Sequence, residues 1–172
     1  MGEYRHITHE SIEPFINDDS EVLILGSFPS VKSREEEFYY AHKSNRFYKV
    51  LSNIFFEPLP TSIESKKELL IKHHIALYDV IYSCDISNSD DSSIRNATPI
   101  NIKELLDKFP NINRIIVNGN KAKELFKKYL LKDIDTHRID IEFAPSTSSA
   151  NAKIGSEELV EIYKNAIMQS EK

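Results

Sequence analysis

Four runs of apolar residues bounded by turn formers divide the chain: Glu21 to Leu25, Ile75 to Ile81, Arg114 to Val117 and Arg138 to Phe143. Short, nearly continuous apolar runs of this kind predict strands covered on both faces, as in a parallel sheet. Between them the spacing changes. Asn45 to Phe55 places Phe47, Val50, Leu51 and Ile54 on one side of a 3.6-residue period, which predicts an amphipathic helix. Ile63 to Lys72 reads as a second helix, started by Thr61 and Ser62, and Asn101 to Phe109, Ala122 to Leu131 and Ser156 to Met168 complete the set. Strands that keep alternating with helices imply parallel neighbours joined by crossovers, so the expected class is α/β, a three-layer α/β/α sandwich. Cys84 to Asn96 is polar and rich in Ser and Asp, and reads as one long loop.

Composition narrows the picture. A chain of 172 residues, 40% hydrophobic, is long enough for one sizeable core, and with no internal repeat and no Pro- or Gly-rich linker it reads as a single domain over residues 1–172. Its single cysteine, Cys84, leaves no intramolecular disulfide, iron–sulfur cluster or cysteine-rich zinc site to build. No apolar run is long enough to span a bilayer, and Met1 to Glu10 is polar rather than leader-like, so the expectation is a cytoplasmic monomer without metal or cofactor. The net charge of −5 disfavours indiscriminate phosphate binding. Even so, Lys32, Arg34, Lys43, Arg46 and Lys49 cluster early, while Asp18, Asp19, Asp90, Asp91, Glu157, Glu158 and Glu161 lie elsewhere. That distribution fits either a basic face on an acidic body or an ordinary solvated surface.

Ligands of open α/β sheets collect at the carboxyl ends of the strands, which directs the search for chemistry. The first strand runs into Gly26-Ser27-Phe28-Pro29-Ser30, a turn that can bring backbone amides near a ligand. Next comes Phe38-Tyr39-Tyr40-Ala41-His42-Lys43-Ser44-Asn45-Arg46-Phe47-Tyr48, in which aromatics alternate with cations and an amide. Such a composition can stack flat bases and hold phosphates, although Ser44 or Asn45 also suits a helix cap. The last strand ends in Ala144-Pro145-Ser146-Thr147-Ser148-Ser149-Ala150-Asn151, a loop of small hydroxyl side chains able to contact phosphate oxygens. A Gly-x-Ser-x-Gly elbow and a Gly-x-x-x-x-Gly-Lys-Ser/Thr loop are both missing, which argues against a serine hydrolase or a nucleotide-handling P-loop enzyme.

Together these segments resemble the uracil-DNA glycosylase superfamily, and most closely its hypoxanthine-DNA glycosylase branch. Gly26 to Ser30 is similar to motif 1 and Pro145 to Asn151 to motif 2, with Tyr39-Tyr40-Ala41-His42 and Asn45-Arg46-Phe47 similar to the segment between them. Leu77-Tyr78-Asp79-Val80-Ile81 and Asp91-Ser92-Ser93-Ile94 extend the resemblance over most of the chain. It implies a four-stranded parallel sheet in the order 2-1-3-4. It also implies a cofactor-free, monofunctional DNA glycosylase of base excision repair whose partner is DNA containing deaminated bases, hypoxanthine or uracil.

By the same resemblance, Asn45 orients the attacking water, since the usual motif-1 position for that task is Phe28, which cannot hydrogen-bond to water. Ser27, Phe28 and Tyr40 fall to base binding, with Tyr40 as the stacking ring and Phe28 closing the other side. Asp79 suits an acceptor for the ring N–H that deamination creates. An ionised Asp79 would oppose a departing anion, so protonation, an outward orientation or a bracing role stays open. Ser30, Lys43, Arg46, Ser146, Thr147, Ser148 and Lys153 are the expected phosphate contacts. Motif 2 here lacks both its usual bulky wedge, with Ser149 and Ala150 instead, and its His, with Ala144 before Pro145. Phe28 in motif 1 and the missing motif-2 His keep a second expectation alive: a module that binds damaged or single-stranded nucleic acid with little turnover.

Overall fold

A computed structural model describes residues 3–87 and 91–168. In chain order the strands are β1 (Arg5–Thr8), β2 (Val22–Gly26), β3 (Ile75–Asp79), β4 (Ile81–Ile86), β5 (Arg95–Pro99), β6 (Arg114–Asn118) and β7 (Asp140–Ala144). The helices are α1 (Val31–Glu36), α2 (Phe47–Phe55), α3 (Ile63–Lys72), α4 (Ile102–Lys108), α5 (Asn120–Tyr129) and α6 (Ser156–Ile167). The main sheet has the order β3-β2-β6-β7, and each neighbouring pair is parallel. Counted among the parallel strands alone, this is the expected 2-1-3-4.

Burial explains why the runs are apolar. Every residue of β2 and β3 is buried, and the β6 run is buried from Ile115 to Asn118. By the right-handed rule for parallel crossovers, the β2-to-β3 connection falls on one face of the sheet and those through α4 and α5 on the other. α6 returns to pack on α2, so the sheet is covered on both sides. α2 buries Phe47, Tyr48, Val50, Leu51 and Ile54 on one stripe, each large side chain contributing about 1.5–3 kcal/mol of transfer free energy. The outer edge of β3 is closed by a bridge from Phe15, whose N–H and C=O both pair with Leu77 at 3.0 and 2.9 Å.

Two expectations are corrected. The apolar run Ile75 to Ile81 is not one strand: β3 ends at Asp79, and from Ile81 the chain enters a second, antiparallel sheet of order β1-β4-β5. Cys84 to Asn96 accordingly is not one long loop, since β4 and β5 occupy its ends; residues 88–90 lie outside the described residues. β4 is a half-buried strand with irregular register against β5, so its polar positions mask the alternation, and its partner β1 comes from about the first ten residues. The small sheet matters for function because the register Thr8↔Ser83 carries the turn beginning at His9 to the β3–β4 junction.

Candidate active site

At the end of β2 the chain turns across the carboxyl edge of the sheet. The C=O of Gly26 and of Ser27 accept from the N–H of Val80 and Ile81 at 2.8 and 3.1 Å, which ties this turn to the β3–β4 junction. Gly26 is required by space: a Cβ built on it comes within 2.6 Å of Asp79 Oδ1 and 3.4 Å of Tyr40 Oη. Ser30 caps α1, its Oγ accepting from the Ser33 N–H at 3.1 Å.

The aromatic segment then folds back over the turn. Tyr40 sits at φ +53, in the left-handed region that a bulky residue enters only when its surroundings fix it. Those surroundings are visible: Tyr48 Oη donates to the Tyr39 C=O at 2.8 Å, Tyr39 Oη donates to the Glu13 C=O at 2.9 Å, and the Tyr40 ring stacks on Phe47 at 4.1 Å. Phe47 thus covers one face of Tyr40. The Tyr40 hydroxyl is enclosed without a protein hydrogen-bond partner, beside the Asn118 carboxamide, and burial holds the phenol far above its ordinary range. Asn45 Oδ1 accepts from the Phe47 N–H at 2.9 Å, so this side chain orders the entry to α2. Asn45 also lines the cavity.

The loop after β7 is held from two sides. Asn118 and Thr147 exchange two hydrogen bonds, Nδ2 donating to Oγ1 and the Thr147 N–H donating to Oδ1, both at 3.2 Å. Thr147 is fully buried by this exchange. From the other side, Arg46 Nη1 donates to the Ile154 C=O at 2.6 Å, and Nη2 donates to the C=O of Asn151 at 2.9 Å. The Arg46 N–H donates to the Thr147 C=O as well, at 2.9 Å. Ser146 Oγ accepts from the Ser148 N–H and Ser148 Oγ from the Ala150 N–H, at 3.1 and 3.2 Å, shaping the loop tip. Ser44 and Ser149 join the two segments through their hydroxyls at 2.9 Å.

The four segments enclose a cavity of about 520 Å³, within the usual size of a small-molecule pocket. Of the expected site residues, Ser27, Phe28, Ser30, Tyr40, Asn45, Asp79, Ser146, Thr147 and Ser148 line it. Lys43 and Lys153 are exposed and lie off its wall. The Arg46 guanidinium is turned to the loop carbonyls, and the Thr147 hydroxyl accepts from the Asn118 amide. His73, at the C-terminal end of α3, pairs with Glu57 at 2.9 Å and stacks on Phe55.

Sequence reading missed His9. It is fully buried, its Nε2 lies 2.8 Å from Asp79 Oδ2, and its Nδ1 lies 2.6 Å from the Ile12 C=O. A carbonyl only accepts, so Nδ1 carries a hydrogen. Burial disfavours the imidazolium, but the hydrogen bond and charge of Asp79 outweigh it and raise the His9 pKa above 6.5. The ring sits among Tyr78, Tyr39 and Phe28, with centroids 4.9, 6.0 and 6.2 Å away. The signal available in the sequence was Asp79 itself: an acid inside an apolar run calls for a buried partner, although six histidines compete for the post.

A family model described as the uracil DNA glycosylase superfamily matches residues 13–167. A hypoxanthine DNA glycosylase of Methanosarcina barkeri is 30% identical over 116 residues, covering 67% of this chain and 73% of that protein. Its counterpart in Methanosarcina acetivorans is 30% identical over 139 residues, covering 80% of this chain and 85% of that protein. A solution NMR structure from Methanosarcina acetivorans, described as a candidate uracil DNA glycosylase, matches with a TM-score of 0.74 at 25% identity, over 90% of this chain and 96% of that one. With a parallel sheet in the expected order and a match spanning nearly all of the described residues, the chain belongs to the uracil DNA glycosylase superfamily.

Proposed function

We propose that the chain acts as a monomeric, monofunctional DNA glycosylase that hydrolyses the N-glycosidic bond of deaminated bases, hypoxanthine foremost and uracil second. The observation that carries this reading is the cavity at the strand ends, where the Asn45 amide, the Asp79 carboxylate, one face of Tyr40 and the hydroxyl-rich loop after β7 meet. Two relatives that are called hypoxanthine DNA glycosylases support the preference for a purine.

In the proposed step the C1′–N bond breaks with its electron pair leaving on the base, and the sugar takes up positive charge that a water oxygen quenches at C1′. A carbonyl oxygen has two lone pairs; Asn45 Oδ1 uses one for the Phe47 N–H and keeps the other to hold that water. The amide orients the water but cannot remove its proton, which passes to solvent once the C1′–O bond has formed, so turnover is modest. Asp79 Oδ1, on the cavity side above Gly26, accepts from the ring N–H of hypoxanthine or uracil. Adenine and cytosine present a bare nitrogen there and are rejected. Lys43 and Lys153 add attraction for the DNA backbone from outside the cavity, and the Ser146 and Ser148 hydroxyls meet phosphate at its rim.

The binding-module reading has the motif departures in its favour and, in the structure, the engagement of Asn45 Oδ1 by the Phe47 N–H, which the second lone pair of that oxygen answers. A base-release screen decides between them, with duplexes carrying hypoxanthine, uracil or xanthine in several pairing contexts. The expected result is abasic sites on the hypoxanthine strand that break only after alkali or heat. Tight, salt-sensitive binding with no released base in single-turnover reactions would establish the alternative.

A further inference from the structure

The departing base takes negative charge into a pocket whose floor already holds a carboxylate, and the N-terminal segment answers that conflict. β1 pairs with β4 from Arg5↔Ile86 to Thr8↔Ser83, and this register delivers His9 beneath Asp79. His9 is a fully buried polar ring in an aromatic cage, with both nitrogens engaged at short distance by acceptors. It also precedes residue 13, where the family match begins.

We propose that His9 is a positioning residue of the base pocket, holding Asp79 by Oδ2 and balancing its charge so that Oδ1 reads the ring N–H of a deaminated base without adding a net negative charge. The inference rests on the glycosylase reading above. Because Nδ1 must donate to the Ile12 carbonyl, the pair holds one further proton between Nε2 and Oδ2, and with that proton in place its net charge is zero. A cationic ring behind the carboxylate also favours the anion that forms in front of it. Tyr78 and Tyr39 are the other titratable groups facing the imidazole, and Tyr40 faces Asp79. Burial raises all three phenols, Tyr78 to about 12 and the other two further, so none carries charge near neutrality.

The test compares the wild-type chain with His9→Gln, Asp79→Asn and the double variant, using single-turnover hypoxanthine release from about pH 5.5 to about pH 8.5, the range in which histidines titrate. His9→Gln keeps an amide donor for Oδ2 but removes the balancing charge. The expected result is a loss of about tenfold or more near pH 6, shrinking toward alkali as the wild-type His9 gives up its proton, and little further loss in the Asp79→Asn background. Nitrogen NMR of labelled histidine, which needs no turnover, should show both His9 ring nitrogens protonated at neutral pH in the wild type and a neutral ring in Asp79→Asn. An equal, pH-independent loss in both backgrounds would make His9 merely structural and overturn the inference while leaving the glycosylase reading intact. A wild-type chain that releases no base from any deaminated duplex would overturn both, whatever the NMR shows.

Discussion

His9 Nε2 and Asp79 Oδ2 lie 2.8 Å apart although 70 residues separate them, and both side chains are buried. The contact joins the small antiparallel sheet to the carboxyl end of the parallel one. It makes the N-terminal segment part of the pocket floor, and it makes the pocket sensitive to protons. A buried pair of this kind owes its stability to completeness, since removing one partner strands the other at a cost of about 3–5 kcal/mol.

The first prediction concerns pH and stability. His9 has a folded-state pKa above its unfolded value near 6.5, so the folded chain binds the proton more tightly than the unfolded one. The contribution is complete below about 6.5 and is lost as pH rises through the folded value. Thermal midpoints should therefore fall as pH rises above about 6.5. Asp79→Asn removes the charge that raises His9, so the difference between the two melting series should shrink steadily over that interval. Parallel series with a constant offset would show that the pair is not an ion pair.

Asn45 has two jobs with different signatures. Asn45→Ala removes the acceptor for the Phe47 N–H, which should lower stability by about 1 kcal/mol. It also removes the proposed water ligand, which should slow single-turnover base release by about 100-fold or more. Asn45→Asp keeps an acceptor for both and should melt with the wild type while retaining measurable release. If Asn45→Ala releases base within about twofold of wild type, the residue is a cap only.

What was legible beforehand divides along physical lines. The four parallel strands and the long helices are written in local periodicity, and β2, buried on both faces, could hardly read otherwise. The second sheet is not local: β1 and β4 meet across most of a hundred residues, and β4 carries polar positions because only part of it is buried. The site residues divide similarly. Asn45, Tyr40 and Asp79 stand in motifs and do line the cavity. His9 has no motif, and its role appears only when β1 pairs with β4. Arg46 and Thr147 have side chains suited to phosphate, yet the same donors and hydroxyls also satisfy carbonyls and carboxamides, and the fold uses them inward. Residue type alone does not distinguish the two uses.

Arg46 gives a prediction that separates clamp from phosphate contact. Its planar fork donates to two carbonyls at once, those of Asn151 and Ile154, which an ammonium cannot reproduce. Arg46→Lys keeps the charge but should lower stability by about 2–3 kcal/mol and blunt base release. The slope of DNA affinity against salt should stay unchanged, whereas Lys43→Ala, at an exposed cation, should reduce that slope by about one. Fluorescence anisotropy over a salt series reads both, and a slope altered by Arg46→Lys would return the guanidinium to the DNA.

Tyr40 separates the ring from its hydroxyl. The hydroxyl is enclosed without a protein hydrogen bond, so Tyr40→Phe removes a buried polar group that gains little from its site. Melting should stay within about 1 kcal/mol of wild type or improve, and base release should persist within a few-fold. Tyr40→Ala removes the wall itself and its stack on Phe47 at 4.1 Å, opening the cavity toward the core. A destabilisation of about 3–5 kcal/mol is expected, with loss of base release even at a temperature where the variant is fully folded. The order of the two variants decides which part of the side chain acts. A hydroxyl that reads the base or carries a proton would make Tyr40→Phe nearly as inactive as Tyr40→Ala, and parallel rate and melting measurements would reveal it at once.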